Sequence, residues 1–465
     1  MKFDIIIIGS GPGGYVAAIR ASQLGKKVAI VERESLGGIC LNWGCIPTKA
    51  LLKSAQVFDY INHAEDYGIS VKSPKADFKS MIGRSREVAN GMSKGVTFLM
   101  KKNKITVIEG TGKLTRNKKV QVTDSAGKKK EYDADQVIVA TGGRSKELPH
   151  IKMDGKNIIG YRQAMSLAKQ PKKMLVIGAG AIGVEFAYFY NAIGTDVTVV
   201  EYMPSGLLPR EDKDVSKEIT KVLKKAGITV LANSAVEEVS TSDSGCTVSV
   251  KDNKSGDISK IECDVVLSAT GVTPNTENIG LEELGIKMER GLIQVDEFYQ
   301  TSVSGIYAIG DVVPGAALAH VASAEGIICV EKIAGHSPEP MDYNNIPSCT
   351  YCNPEVASVG YTEAAAKEAG FDIKVGKFPF SASGKASASG AKDGFVKVIY
   401  DSKYGELLGA HFVGANVTEM IAEIVTARKL ETTGHEILKA VHPHPTMSEA
   451  IMEATAAAYD EVIHL

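Results

Sequence analysis

Apolar positions along this chain come in two rhythms: short runs with no polar break, and longer stretches with an apolar residue every three or four. Residues 4–9 read Asp-Ile-Ile-Ile-Ile-Gly, a β-branched run typical of a strand buried on both faces. A glycine-rich turn, a helical stretch over about 12–24 and a second strand over 27–32 follow. That is a βαβ unit, and its parallel strands predict an α/β fold with a right-handed crossover. The pattern recurs, with a strand at 174–178, a glycine turn, a helix at 184–193 and a strand at 196–201. Between the two units, 78–102 reads as a long helix, and 105–109, 120–123 and 136–140 as strands. From residue 346, strand-like stretches at 396–400 and 408–413 precede helices at 417–429 and 447–460, which predicts a separate α+β tail.

Composition narrows the class. The 465 residues allow roughly three domains, and 44% hydrophobic content supports several cores. The 53 basic and 55 acidic residues nearly cancel, to a net charge of −2, which argues against a nucleic-acid partner. No apolar run approaches the roughly 20 residues of a membrane span. The chain opens Met1-Lys2-Phe3-Asp4 directly into a strand, leaving no room for a signal peptide, so a cytoplasmic protein without a membrane partner is expected. Seven cysteines, an odd and sparse set, exclude a disulfide-stapled secreted fold. Cys246, Cys263 and Cys329 read as single buried thiols. Cys349 and Cys352 read as structural: three apart on an expected strand they point to opposite faces, and no second pair completes a zinc site. No metal is expected.

Both glycine turns carry chemistry. Gly9-Ser10-Gly11-Pro12-Gly13-Gly14 fits G-x-G-x-x-G, in which one glycine makes the tight turn, one admits a pyrophosphate to backbone N–H groups and one lets the helix pack closely. The phosphates sit at the positive end of the helix, and Glu32 stands where a carboxylate can bond a ribose hydroxyl. Gly178, Gly180, Gly183 and Glu201 repeat the set, with Glu201 as far from Gly178 as Glu32 is from Gly9. A carboxylate there suits a free 2′-hydroxyl and repels a 2′-phosphate; the following Tyr202-Met203-Pro204 brings no basic residue. NAD is favoured over NADP. Two such sites in one chain imply two nucleotides working in sequence, normally a flavin and a nicotinamide.

Just after the first unit stand Cys40 and Cys45, within Gly37-Gly38-Ile39-Cys40-Leu41-Asn42-Trp43-Gly44-Cys45-Ile46-Pro47-Thr48-Lys49. Spacing alone leaves open a pair of reduced, buried cysteines. It also permits a small disulfide loop where Gly44 and Pro47 bend the backbone, and in a cytoplasmic protein a persistent disulfide is usually catalytic. Near the C-terminus, His442-Pro443-His444-Pro445-Thr446-Met447-Ser448-Glu449 offers two histidines in a proline-fixed loop where a cis His444–Pro445 peptide is plausible. A dithiol must lose a proton before it attacks a disulfide, and an imidazole is the natural base near neutral pH.

The stretch 37–49 resembles the redox-active motif of the pyridine nucleotide–disulfide oxidoreductases, and the resemblance covers nearly all of the chain. Gly110-Thr111-Gly112, Ala140-Thr141-Gly142, Ala269-Thr270-Gly271, Ile306-Tyr307-Ala308-Ile309-Gly310-Asp311 and Leu318-Ala319-His320 also match. It implies two Rossmann-like domains and a C-terminal α+β dimerisation domain: FAD-binding over 1–147, NAD-binding over 148–275, a central segment at 276–345 returning to the FAD domain, and an interface domain over 346–465. It makes Cys40 the thiol that meets substrate and Cys45 the thiol against the flavin. Lys49 stabilises negative charge there, with Glu185 as partner. Gly112, Thr141, Gly142, Asp311 and Ala319 belong to the FAD site and Gly271 to the nicotinamide site; His320 is given no catalytic role. His444 and Glu449 match the family's His–Glu pair, whose five-residue step selects His444 over the alternative base His442, and the resemblance implies that the base arrives from the second subunit of a homodimer.

Within the family, the glutathione-reducing branch carries Lys-Lys after its Cys-Val-Pro segment, the mercury-reducing branch ends in a cysteine pair, and soluble flavin transhydrogenases lack the disulfide. The segment 442–449 is most similar to the lipoamide branch. The implied partners are lipoyl-bearing carrier domains and the acyltransferase core of 2-oxo acid dehydrogenase complexes, or the glycine cleavage carrier protein. Val272-Thr273 departs from the arginine many relatives carry there. A related disulfide reductase, or a non-catalytic FAD/NAD-binding protein, is the alternative.

Overall fold

The isoleucine run forms the middle of a parallel sheet in this computed structural model, which describes residues 2–465. The chain divides into two units, each assembled from three segments. The first takes the N-terminal segment up to Leu51, Lys79–Lys146 and Gly271–Met341; the second takes Leu52–Phe78, Glu147–Thr270 and Asp342–Leu465.

In the first unit, Lys2–Ile8 pairs in parallel with Val28–Glu32 on one side and with the second half of Lys129–Val139 on the other; Thr106–Glu109 and Ile306–Ala308 extend the sheet. Ile5, Ile6 and Ile7 are fully buried, as a strand covered on both faces requires. The first half of Lys129–Val139 pairs antiparallel with Val120–Thr123, which pairs with Thr111–Leu114. One long strand therefore serves two sheets, where the sequence predicts only its apolar end. The helices Pro12–Gln23 and Ala319–Ile333 cross with their backbones in close approach. A Cβ on Gly13 would lie 3.0 Å from the Ala322 carbonyl, and one on Gly326 2.8 Å from the Gly13 carbonyl. The helix Phe78–Lys102 has the bounds the periodicity predicts.

In the second unit, the parallel order is Thr229–Leu231, Asp196–Val200, Lys173–Ile177, Val265–Ser268 and Ile158–Ile159. Beside it stands an antiparallel meander, Ser234–Ser242, Gly245–Asp252 and Ile258–Cys263, which the sequence reading does not anticipate. The tail forms a five-stranded antiparallel sheet ordered Ser348–Thr350, Glu355–Gly360, Leu407–Gly414, Phe395–Asp401 and Ile373–Pro379. Its helix Val417–Lys429 has the expected bounds. Glu449–Ala458 starts two residues later than 447, because Pro445 and the buried Met447 belong to the loop before it. That last helix lies directly on the edge strand: a Cβ on Gly376 would come within 1.7 Å of the Ala454 carbonyl. Among the described residues, no helix is long and apolar enough to cross a membrane.

Candidate active site

The two glycine turns have the same construction. Gly9 and Gly178 have φ of +104° and +97°, and added Cβ atoms would strike the carbonyls of Ala140 at 2.2 Å and Ala269 at 2.7 Å. Cβ atoms on Gly14 and Gly183 would each fall 2.0 Å from the carbonyl of the first glycine. Gly11 and Gly180 have nothing within 4 Å of a Cβ. Each turn is closed on the sheet side and open beside the helix N-terminus, so an anion can reach the backbone N–H groups and the positive end of the helix dipole.

The glutamates match as well. One Glu32 oxygen accepts from the Ser10 amide at 3.0 Å and the other from the Glu34 amide at 2.8 Å. Glu201 accepts from Ala179 at 2.7 Å and Met203 at 2.8 Å. Each carboxylate is tied to its turn and keeps spare lone pairs for a ribose hydroxyl. Both turns fit a dinucleotide.

In the first unit, Gly38–Trp43 forms a short helix, and Cys45 is the first residue of the helix Cys45–Asn62. Gly44, with φ of −144° and ψ of −116°, makes the sharp break between them. The break brings the Cα atoms of Cys40 and Cys45 to 4.7 Å, and the two sulfurs form a disulfide. On reduction, a Cys45 thiolate sits at the positive end of an 18-residue helix, which favours its ionised form. Lys49 follows one turn later on the same face. Trp43 lies under the Arg86 guanidinium, 4.6 Å from its ring centroid, and Arg86 also donates to the Asn42 carbonyl at 2.6 Å. Arg86, on the helix Phe78–Lys102, thereby pins the cysteine segment; no spacing in the sequence signals it.

Other expected cofactor residues of this unit lie on its loops, on the strand Thr111–Leu114 and at the start of the helix Ala319–Ile333. The Thr141 hydroxyl donates to the Asn275 carbonyl at 2.7 Å, and the Asn275 amides return bonds to the carbonyls of Thr141 at 3.0 Å and Gly142 at 2.8 Å. Val272 pairs with Ser145 in a two-stranded ladder just after Gly271. Gly112 lies against Ile8 and Val31. Asp311 stands beside Gly143, and burial pushes its carboxyl above the ordinary range. Ala319 opens the helix Ala319–Ile333.

In the second unit, Glu185 is buried on the helix Ala181–Ala192 and accepts from the Tyr351 amide at 3.0 Å. The His444 Nδ1 meets a Glu449 oxygen at 2.8 Å, and the other oxygen accepts from the Thr446 amide at 2.7 Å. Burial opposes ionisation of Glu449, but the Thr446 amide and His444 hold its pKa below the ordinary value. The His444 side chain is 79% exposed, which leaves Nε2 able to take a proton from a partner in solution. The His444–Pro445 peptide is cis. His442 is bound differently: Nε2 meets Glu423 at 2.9 Å and Nδ1 the Ala440 carbonyl at 3.0 Å. With both nitrogens engaged and a side chain only 7% exposed, it holds the loop rather than serving as a base. The Glu423 bond, against opposing burial, raises its pKa. Cys246, Cys263, Cys329, Cys349 and Cys352 stand outside any disulfide, and among the described residues no cluster suits a metal ion.

Residues 3–326 match the family model of the pyridine nucleotide-disulphide oxidoreductases, and residues 346–455 match that family's dimerisation domain. The chain belongs to the pyridine nucleotide-disulphide oxidoreductase family, whose cofactors are FAD and NAD. Among its relatives are dihydrolipoyl dehydrogenases of Zymomonas mobilis, 50% identical over 99% of each chain, and Rhizobium etli, 51% identical over 100% of this chain and 99% of the relative. A solved structure of LpdA from Mycobacterium tuberculosis superposes with a TM-score of 0.91 at 27% identity, over 98% of this chain and 99% of that one. The HOCl-induced flavoprotein disulfide reductase RclA of Escherichia coli, as its Cu(II) complex, gives 0.87, also at 27% identity over 98% and 99%.

Proposed function

We propose that this chain oxidises dihydrolipoyl groups to lipoyl disulfides and passes the electrons to NAD⁺, as its full-length relatives' names describe. The observation that carries the reading is the Cys40–Cys45 disulfide closed across a helix break directly behind a dinucleotide turn. The ordered His444–Glu449 pair supports it.

His444 Nε2 takes the proton of one substrate thiol, and Glu449 stabilises the imidazolium through Nδ1. The substrate thiolate attacks Cys40 Sγ, and the bond to Cys45 Sγ breaks to release the Cys45 thiolate at its helix N-terminus. His444 passes its proton to solvent and takes that of the second substrate thiol, whose sulfur attacks the first, closing the lipoyl disulfide and freeing Cys40. Two electrons now rest on the cysteine pair. A bound FAD would supply the two-electron acceptor for them, with NAD⁺ as the final hydride acceptor. Gly11 and Gly180 would expose the backbone donors for the pyrophosphates, Glu32 and Glu201 would hold the riboses, and Lys49 would balance negative charge.

The reading includes a homodimer in which His444 serves the partner copy's disulfide; the match of residues 346–455 to a dimerisation domain supports it. It also includes a cytoplasmic site and lipoyl carriers of the 2-oxo acid dehydrogenase or glycine cleavage type as substrates. Alkylation of the native holoenzyme with iodoacetamide, before and after dihydrolipoamide, tests it. Cys40 should be protected at first and label after the dithiol. Equal labelling in both conditions contradicts the role of the pair.

A further inference from the structure

Lys397 is a buried charge of the second unit. It stands on Phe395–Asp401, a strand buried at every residue, and its side chain is 3% exposed. Its Nζ lies 2.9 Å from Asp212, 3.1 Å from Asp214 and 2.8 Å from Glu363. Lys377 adds 3.4 Å to Asp214 and Lys367 2.7 Å to Glu363, so three lysines face three carboxylates.

A buried ion network of this kind contributes little net stability, since desolvation of each charge offsets its Coulombic gain. What it fixes is geometry. Asp212 is the capping residue of the helix Lys213–Lys225: one oxygen accepts from the Asp214 amide at 3.0 Å, the other from the Glu363 amide at 3.1 Å. Glu211, beside it, bonds Ser358 and Ser348 of the antiparallel sheet. The loop ahead of that cap is equally determined. The Ser216 hydroxyl donates to the Leu208 carbonyl at 2.7 Å. The Leu208 amide donates to the Ala179 carbonyl at 2.9 Å, and Leu208 holds a φ of +51°, a conformation that persists only where its surroundings impose it. Ala179 lies between Gly178 and Gly180, and its own amide is the one Glu201 holds.

We infer that Lys397 is a positioning residue for NAD: through Asp212 and the 206–212 loop it braces the Gly178–Gly180 turn that receives the pyrophosphate. The inference rests on the reading of that turn as the NAD site. Lys397 touches neither substrate nor cofactor; it acts by keeping Ala179 fixed against the sheet, so that the N–H groups of the turn are aimed before the nucleotide arrives.

The test compares wild-type holoenzyme with Lys397→Met and Ser216→Ala. Calorimetric NAD⁺ affinity, flavin content and reduction of the enzyme by dihydrolipoamide are measured beside hydrogen exchange over residues 204–212. Lys397→Met should weaken NAD⁺ binding about 10-fold and Ser216→Ala about 3-fold, estimates from the loss of pre-organised backbone donors. Both should accelerate exchange in 204–212, with flavin content and dithiol reduction unchanged. If Lys397→Met does not fold, Ser216→Ala, which buries no unpaired charge, decides the matter. Unchanged NAD⁺ affinity in a folded variant with a lowered melting temperature would make the network a structural brace only and overturn the inference. Failure of the wild type itself to bind NAD⁺ would instead overturn the reading of the site.

Discussion

At residue 32 and again at residue 201 a glutamate closes a βαβ unit by accepting two backbone amides, one from its glycine turn and one from two residues on. From there the chain takes different courses. After Glu32 it runs into the broken helix that carries Cys40 and Cys45. After Glu201 it runs into a loop tied to a buried lysine on the C-terminal sheet. The two glycine frames are thus alike, and they differ in the segment that leaves the second strand: a cysteine pair in the first unit, a loop tied to Lys397 in the second.

The comparison breaks most sharply at Cys45. Cys45→Ser should lower dihydrolipoamide-driven NADH formation by at least about 10³-fold, since the substrate thiolate then finds no disulfide; flavin retention and NAD⁺ affinity should stay at wild-type values. Loss of flavin in this variant would mean the cysteine segment belongs to the fold of the first unit rather than to its chemistry. His444→Gln removes the base supplied from outside both frames, and turnover should fall about 10²- to 10³-fold. The loss should narrow when the assay pH is raised enough to ionise the dithiol without help; a loss independent of pH contradicts the role.

Glu201→Ala sharpens the contrast between the units. It should raise the KM for NAD⁺ about 10-fold, by loss of a charged hydrogen bond, and leave the KM for the dithiol unchanged, whereas Glu32→Ala should release flavin. An equal rise in both KM values for Glu201→Ala would remove its assignment. The smallest effect concerns His442. Because Glu423 raises the His442 pKa, the pair's stabilisation is fully present below the unfolded histidine value and fades as pH rises through the folded value. The melting temperature of Glu423→Gln should fall below wild type by about 1–2 °C under mildly acidic conditions, and the gap should close as pH rises. A gap that widens with pH would refute the assignment.

Much of the frame was legible in the sequence because its determinants are local. The isoleucine run, the paired glycine turns and the helices Phe78–Lys102 and Val417–Lys429 follow from periodicity and from spacings of under 25 residues. What stayed hidden depends on contacts between distant segments. The meander at Ser234–Cys263 carries strongly polar strands whose pairing only the neighbouring core explains. Arg86 over Trp43 and Asp212 at Lys397 join residues 43 and 185 positions apart, and no local pattern marks them. Along the chain, only the family's five-residue step from histidine to glutamate favours His444 over His442. The fold separates them, by sealing one against Glu423 and leaving the other exposed on Glu449.

The most direct test of the account is the rate of NAD⁺ reduction by dihydrolipoamide with purified, FAD-loaded protein, run beside NADPH-dependent reduction of glutathione disulfide. Rapid NADH formation from the dithiol, with no glutathione activity, is the predicted result. A flavin-loaded protein inert toward dihydrolipoamide but active on glutathione disulfide would contradict it.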